Sequence, residues 1–431
     1  MNLPRRTRSA VTVVTGALIA GVVLSGCGSD DSAAGSNTVN VSLPNHTWTT
    51  AIQKLAPKFE QETGLKLNIT TFGEDQLSDQ YNVKLNTKTK DFDVMMFRPL
   101  QEGRLFIDNG WLSKIDDRVK ADSAWNWADF QAEPVKSVTA ADGAIYGVPL
   151  VTEREVLYYN KEILDKGGVK VPRTLDELKA AAAKLNKRDA GVFGFIARGQ
   201  RAPSVTQFSS YLYSFGGDFA VDGKAALNTP AAQKAYEYYG SMLRDYGPPG
   251  TTEMGWPQAL PVFAQGKVAF YTDADSLYNN FNDPATSKIT GKVGFAQFPA
   301  GPAGSKPYNI PSWALGINEY STNKDNAWKF VQWATSPATS LEVQASGVPL
   351  ARTSVWDDPK GMAGFPKELA EVIRSSSKAG IGHDRPQVIK VGEARDIVGT
   401  PIVESIGGGD VAAAIAKAQK DYQALLDTEK R

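Results

Sequence analysis

Acidic, basic and indole side chains recur just past the apolar stretches that read as strands, where they are well placed to hold a small polar molecule. A carboxylate accepts and a guanidinium donates as a fork, so each can pair with two neighbouring polar groups. A flat indole adds apolar contact area with little side-chain entropy lost. Asn45, His46 and Trp48 follow the first strand signal, Glu74, Asp75 and Gln76 the second, and Arg98 the third. Glu153 and Arg154 precede another strand signal, Arg198 follows one, and Trp256 stands before a helix. Asp273 and Asp275 close a further strand, Trp313 follows Ser312, and Arg352 and Arg385 lie towards the C-terminus. Each has a plainer reading. Trp48 opens an amphipathic helix and can be core, Asp75 and Asp275 can cap helices, and Glu153 with Arg154 can form an ion pair.

Most catalytic chemistries find no support. His46 and His383 are the two histidines, far apart and without HExxH-like spacing, which argues against a zinc enzyme or a histidine-based triad. Gly407-Gly408-Gly409 lacks the Lys-Ser/Thr ending of a phosphate loop, and a helix stop accounts for it. Glycoside hydrolysis stays open, because it needs only two carboxylates about 5–10 Å apart.

The elements that must position these residues follow an α/β grammar. Val39, Val41 and Leu43 alternate as a strand, and Trp48, Ile52, Leu55 and Phe59 recur at helical spacing up to Gly64. Pro57 inside that helix predicts a kink or a late start. Leu65, Leu67 and Ile69 form a second strand, a helical stretch passes through Tyr81 and Leu85, and residues 92–97 suit a buried parallel strand. After Gly147 the grammar restarts, with strands over 156–159, 192–196, 268–272 and 310–317. Helices are predicted over 175–185, 205–215, 231–246, 324–334 and 410–426. Thr174 and Glu177 have capping-box spacing, and Asp410 caps the last helix. Trp328, Phe330 and Trp333 share one helical stretch and read as core; Trp111, Trp125 and Trp127 suggest no role.

The first 26 residues read as a targeting segment. Arg5, Arg6 and Arg8 precede an apolar run over 10–24, short for a membrane span of roughly 20 residues but suited to a secretory signal. Leu24-Ser25-Gly26-Cys27 looks like a lipobox, in which Cys27 would be lipidated and become the new N-terminus; residues 28–36 would be a tether. Cys27 is the single cysteine, so a lipidated form has no disulfide or Cys-ligated metal. Cleavage removes three arginines and leaves 44 basic against 47 acidic residues, giving no reason to expect nucleic acid. Roughly 400 folded residues suit two domains.

Several segments, in order, resemble the bacterial extracellular solute-binding proteins that include maltose- and sugar-alcohol-binding members. Phe59-Glu60-Gln61-Glu62-Thr63-Gly64-Leu65-Lys66-Leu67 is similar to the family's first helix and second strand. Tyr146-Gly147-Val148-Pro149 followed by Leu157-Tyr158-Tyr159-Asn160-Lys161 is similar to its first hinge crossing. Phe215-Gly216-Gly217-Asp218, Phe263-Ala264-Gln265-Gly266-Lys267-Val268-Ala269 and Trp313-Ala314-Leu315-Gly316-Ile317 continue the likeness, and Gly291-Lys292-Val293-Gly294 with Pro299-Ala300-Gly301-Pro302 resembles sorbitol- and mannitol-type binders.

The resemblance implies a two-lobed periplasmic-binding-protein-like α/β fold with hinged lobes and central, parallel-rich sheets. Lobe 1 would comprise 38–149 plus 314–348, and lobe 2 150–313 plus 349–431. The chain would cross near 148–154, 309–313 and 348–352. It further implies a non-enzymatic, monomeric receptor that closes on a sugar or sugar alcohol without cofactor or metal. It would hand the solute to the membrane permease of an ABC importer while anchored outside the cytoplasm through Cys27. The ligand would meet Asn45, Trp48, Asp75, Arg98, Glu153, Arg154, Arg198, Trp256, Asp273, Asp275, Trp313, Arg352 and Arg385. A non-sugar solute on the same fold is the alternative.

Overall fold

The computed structural model describes residues 36–429; Cys27 and the segments around it lie outside them. The described residues form ten strands: β1 Thr38–Pro44, β2 Lys66–Phe72, β3 Val94–Phe97, β4 Val148–Asn160, β5 Phe193–Ile196, β6 Ala220–Val221, β7 Lys224–Ala225, β8 Val268–Ala274, β9 Val293–Gln297 and β10 Asn309–Ile317. Eight of them form one sheet in the order β2-β1-β3-β10-β4-β8-β5, with β9 also on β4, while β6 and β7 pair by themselves.

This sheet serves two lobes because β4 and β10 are long enough to belong to both. Residues 148–154 of β4 pair antiparallel with β10, and residues 155–160 pair with β8 and β9. The far end of β10 continues onto β3. A third passage runs beside them, where Thr152 N–H donates to the Pro349 carbonyl at 3.0 Å and Ala351 N–H to the Leu150 carbonyl at 2.8 Å. Parallel pairing holds at the flanks, β1 with β2 and β3, and β5 with β8. The crossing strands are antiparallel because the chain leaves one lobe on β4 and returns on β10.

Each lobe has its own core. The first is built from β1, β3, the helix Thr47–Thr63 and the helix Lys324–Ala334, and includes Trp48, Trp313 and Trp328. Two clusters fill the second lobe, one around the helices Arg201–Ser214, Pro230–Tyr246 and Val391–Gly407, the other around β8 and the helix Lys367–Ala379. Leu350, Ala351 and Val355 pack in the first core.

Local chemistry explains most element ends. Thr174 and Glu177 form the reciprocal capping box, and the Asp410 carboxylate accepts from Ala413 N–H at 2.9 Å. Gly64, with φ of 70°, ends the first helix in the left-handed conformation that glycine adopts without penalty. That helix runs from Thr47 through Pro57, so the expected late start does not occur.

Candidate functional site

The first helix begins at the end of β1, and its start faces the second lobe. His46 is the N-cap: Nδ1 accepts from Trp48 N–H at 3.1 Å. The next turn presents Thr47 and Thr49, whose buried hydroxyls have no hydrogen-bond partner among the described residues. Opposite them, Trp256 opens the helix Trp256–Ala264, and Leu277 and Asn280 lie in the 3-10 turn after β8. Between the two sides is a cavity of about 240 Å³. Asn45, His46, Thr47, Thr49, Thr50, Gln53 and Thr71 line its first-lobe side. Neither wall carries an Asp, Glu, Lys or Arg. A buried hydroxyl left unpaired costs about 1–3 kcal/mol, so these groups suit a guest that donates and accepts.

Most charged groups at the junction are already paired. Arg98 donates to Glu102 and Ser78, reaches Glu74 at 3.4 Å, and lies 5.7 Å from the Trp313 ring. Burial disfavours the Glu102 carboxylate, but the Arg98 charge and hydrogen bonds outweigh it and hold its pKa below the usual range. Trp313 also packs at 5.6 Å on the His46 ring, where register shifts in the β4–β10 pairing flank it. Glu153 accepts from Ser276 at 2.5 Å and lies 3.8 Å from His46 Nε2. Burial again opposes its charge, yet the His46 ring beside it, the Ser276 hydroxyl and the Arg198 charge bring its pKa below the usual range.

Beneath the cavity, Arg154 binds Asp275 at 2.7 Å and Arg198 binds Asp273 at 2.5 Å, both carboxylates being fully buried. Gln207, Tyr271 and the Ala274 N–H also donate to Asp273. Neighbouring Glu155 is buried, neither oxygen has a hydrogen-bond partner among the described residues, and burial lifts its pKa well above the usual carboxylate value.

Thus Asn45 and Trp256 line the cavity, while Arg98, Glu153, Trp313, Arg154, Asp275, Arg198 and Asp273 form the paired layer around it. Trp256 Nε1 also spans the junction to Glu74 at 3.2 Å. Trp48 is a core residue, 1% exposed, rather than a wall. Arg352 is placed elsewhere. It donates to the Thr335, Asn126 and Trp125 carbonyls and to Asp129, over the Phe130 ring at 4.2 Å, so it is a structural cation of the first lobe. Arg385 contacts Gln101 across the junction. Asp75 sits in the helix Glu74–Asn86, but its side chain lies outside what is described.

Thr47, Thr49, Thr71 and Asn280 were not anticipated. The run His46-Thr47-Trp48-Thr49-Thr50 at a helix start was the available signal, since hydroxyl residues there read first as caps. A larger open groove of about 1200 Å³ is lined by the second lobe alone, from Tyr159 and Val169 to Phe298, and holds none of the junction residues.

The profile described as bacterial extracellular solute-binding protein matches residues 45–340. The mannitol-binding protein of Pseudomonas aeruginosa is 28% identical over 312 residues, 71% of this chain and 70% of that protein. The erythritol/L-threitol-binding protein of Mycolicibacterium smegmatis is 26% identical over 356 residues, 77% of this chain and 73% of that protein. An ABC transporter solute-binding protein from Agrobacterium radiobacter K84, solved with ribitol, has a TM-score of 0.81 at 28% identity, covering 90% of this chain and 98% of that one. Another, from Agrobacterium vitis S4 with bound D-mannitol, has a TM-score of 0.78 at 25% identity, covering 91% and 98%. With two lobes joined by crossing strands and a family match over more than half its length, the chain belongs to the bacterial extracellular solute-binding proteins.

Proposed function

We propose that this chain captures a small neutral polyol, or a sugar of similar size, and delivers it to the permease of an ABC importer. The observation that carries this reading is the cavity between the lobes, which has no Asp, Glu, Lys or Arg in its walls and whose Thr47 and Thr49 hydroxyls have no partner among the described residues. Its volume of about 240 Å³ is below the roughly 300–1,000 Å³ of drug-sized sites, which favours four to six carbons over a disaccharide. The names of the mannitol and erythritol/L-threitol relatives, and the ribitol and mannitol complexes, point the same way.

The ligand set becomes Asn45, His46, Thr47, Thr49, Thr71, Trp256 and Asn280, backed by Arg98, Glu153, Arg198, Asp273 and Trp313. Lobe 1 is taken as 38–149 with 314–355, and lobe 2 as 150–313 with 356–429. The chain acts as a monomeric, non-catalytic receptor without a metal, because the cavity walls carry no carboxylate to serve as acid, base or ligand. It works outside the cytoplasm, as its family does. Lipid on Cys27 tethers it to the membrane; Cys27→Ala yields soluble protein or uncleaved precursor.

A thermal-shift series over erythritol, ribitol, D-mannitol and maltose tests the ligand. A bound polyol at a hundred times its Kd adds about 2.7 kcal/mol of stability. A series in which only charged solutes or maltose stabilise the protein overturns the reading.

A further inference from the structure

We infer that Gln101 is a closure latch: one lobe carries its side-chain amide, two arginines of the other grasp it, and this contact sets how much of the protein is closed before ligand arrives. Gln101 lies in the π-helical turn Pro99–Gly103 directly after β3, between Phe97 and Phe106 of the first core. Such turns are often found at functional positions. Arg385 and Arg395 belong to the second lobe, where Val388, Ala394 and Val398 pack in its core. Arg385 Nη1 donates to Gln101 Oε1 at 2.7 Å and Arg395 Nη1 to the same oxygen at 2.9 Å.

The two cations differ in how they are satisfied. Arg385 is neutralised by Asp384, with contacts of 2.7 Å and 2.5 Å. Burial opposes the Asp384 charge, but Arg385 overrides it and holds the pKa at about 2. Arg395 is buried and has no carboxylate at ion-pair distance among the described residues. Its other acceptors are the Ala202 carbonyl at 3.0 Å and Thr206 Oγ1 at 3.3 Å. Burial, then the like charge of Arg385, lowers its pKa well below the usual arginine value. Gln101 is therefore an acceptor for Arg395 that exists only while the lobes are together.

Gln101 acts as a positioning residue for closure. Replacing it by alanine leaves Arg395 short of an acceptor in the closed form alone, which favours opening. Replacing it by glutamate supplies the missing negative charge, which favours closing. Apparent affinity scales with the closed fraction, so each change carries over to binding. The closure part stands by itself; only the affinity part rests on the polyol reading.

Spin labels at Val83→Cys and Val221→Cys, exposed positions on opposite lobes, report the distance in a full chain that also carries Cys27→Ser. In the absence of ligand, Q101A lowers the closed-to-open ratio and Q101E raises it, each on the order of tenfold. Dissociation of D-mannitol or ribitol speeds up in Q101A and slows in Q101E. If both variants keep the parent's distance distribution, the latch is overturned, even where melting temperatures change, since Gln101 is then only structural. Distances that respond in a protein that binds neither polyol keep the latch and reject the polyol instead.

Discussion

Four residues supply five donors to the Asp273 carboxylate, two from Arg198 and one each from Gln207, Tyr271 and the adjacent backbone N–H of Ala274, and water does not reach it. Asp273→Ala would leave Arg198 buried without its counter-charge, and we expect a loss of about 3–5 kcal/mol in urea unfolding. Trp256 differs, being half-buried at the cavity wall. Trp256→Ala should weaken polyol binding by about 1.5–3 kcal/mol, seen by calorimetry, with little change in melting. Position after a strand made both residues candidates; their roles separate only through partners distant in sequence, such as Gln207 and Tyr271. Glu155 yields a pH prediction. Its folded pKa is raised, so its contribution is fully present below the unfolded value of about 4.3 and is lost as pH rises towards the folded one. Relative to Glu155→Gln, the parent should lose about 1.4 kcal/mol per pH unit above about pH 5. Parallel stability curves would refute the raised pKa.

At the scale of elements, legibility followed local signals. The helix Leu175–Leu185 announces itself through Thr174 and Glu177, and the helix Val411–Glu429 through Asp410. The crossing strand β4 does so only over 156–159, because residues 148–152 are buried throughout and show no alternation. The helix Val391–Gly407 was missed because Gly392, Gly399 and Pro401 look like breakers. Its glycines have different reasons. A Cβ on Gly399 would lie 2.3 Å from the Arg201 carbonyl oxygen, which is backbone and cannot swing away, whereas one on Gly392 would meet nothing. Gly399→Ala should therefore cost about 1–3 kcal/mol, while Gly392→Ala should be neutral or add up to about 1 kcal/mol. Equal denaturation midpoints for the two variants would contradict this account of the packing.

For the whole molecule, the distribution of charge decides what kind of solute the lobes can close upon. Arg154 with Asp275, Arg198 with Asp273, Arg98 with Glu102 and Arg385 with Asp384 are matched pairs at the junction, Arg395 is held there by neutral acceptors, and the cavity walls carry no Asp, Glu, Lys or Arg. An ionic guest would meet no Asp, Glu, Lys or Arg in the cavity walls, and drawing a counter-charge out of one of those buried pairs would cost several kcal/mol. A polyol needs only hydroxyl and amide partners and the indole of Trp256. Salt screens exposed charges over about 10 Å at 0.1 M but acts weakly on buried pairs. The Kd for a bound polyol should thus change less than about twofold between roughly 0.05 and 0.5 M sodium chloride. It should also be indifferent to EDTA, because His46 stands alone in the cavity wall and no cluster of metal-ligating side chains is found among the described residues. Titration calorimetry at the two salt concentrations, with and without chelator, is the measurement. Binding that weakens tenfold with salt would mean that the guest is charged and meets an exposed ion rather than the threonine wall; loss on chelation would place a metal between guest and protein.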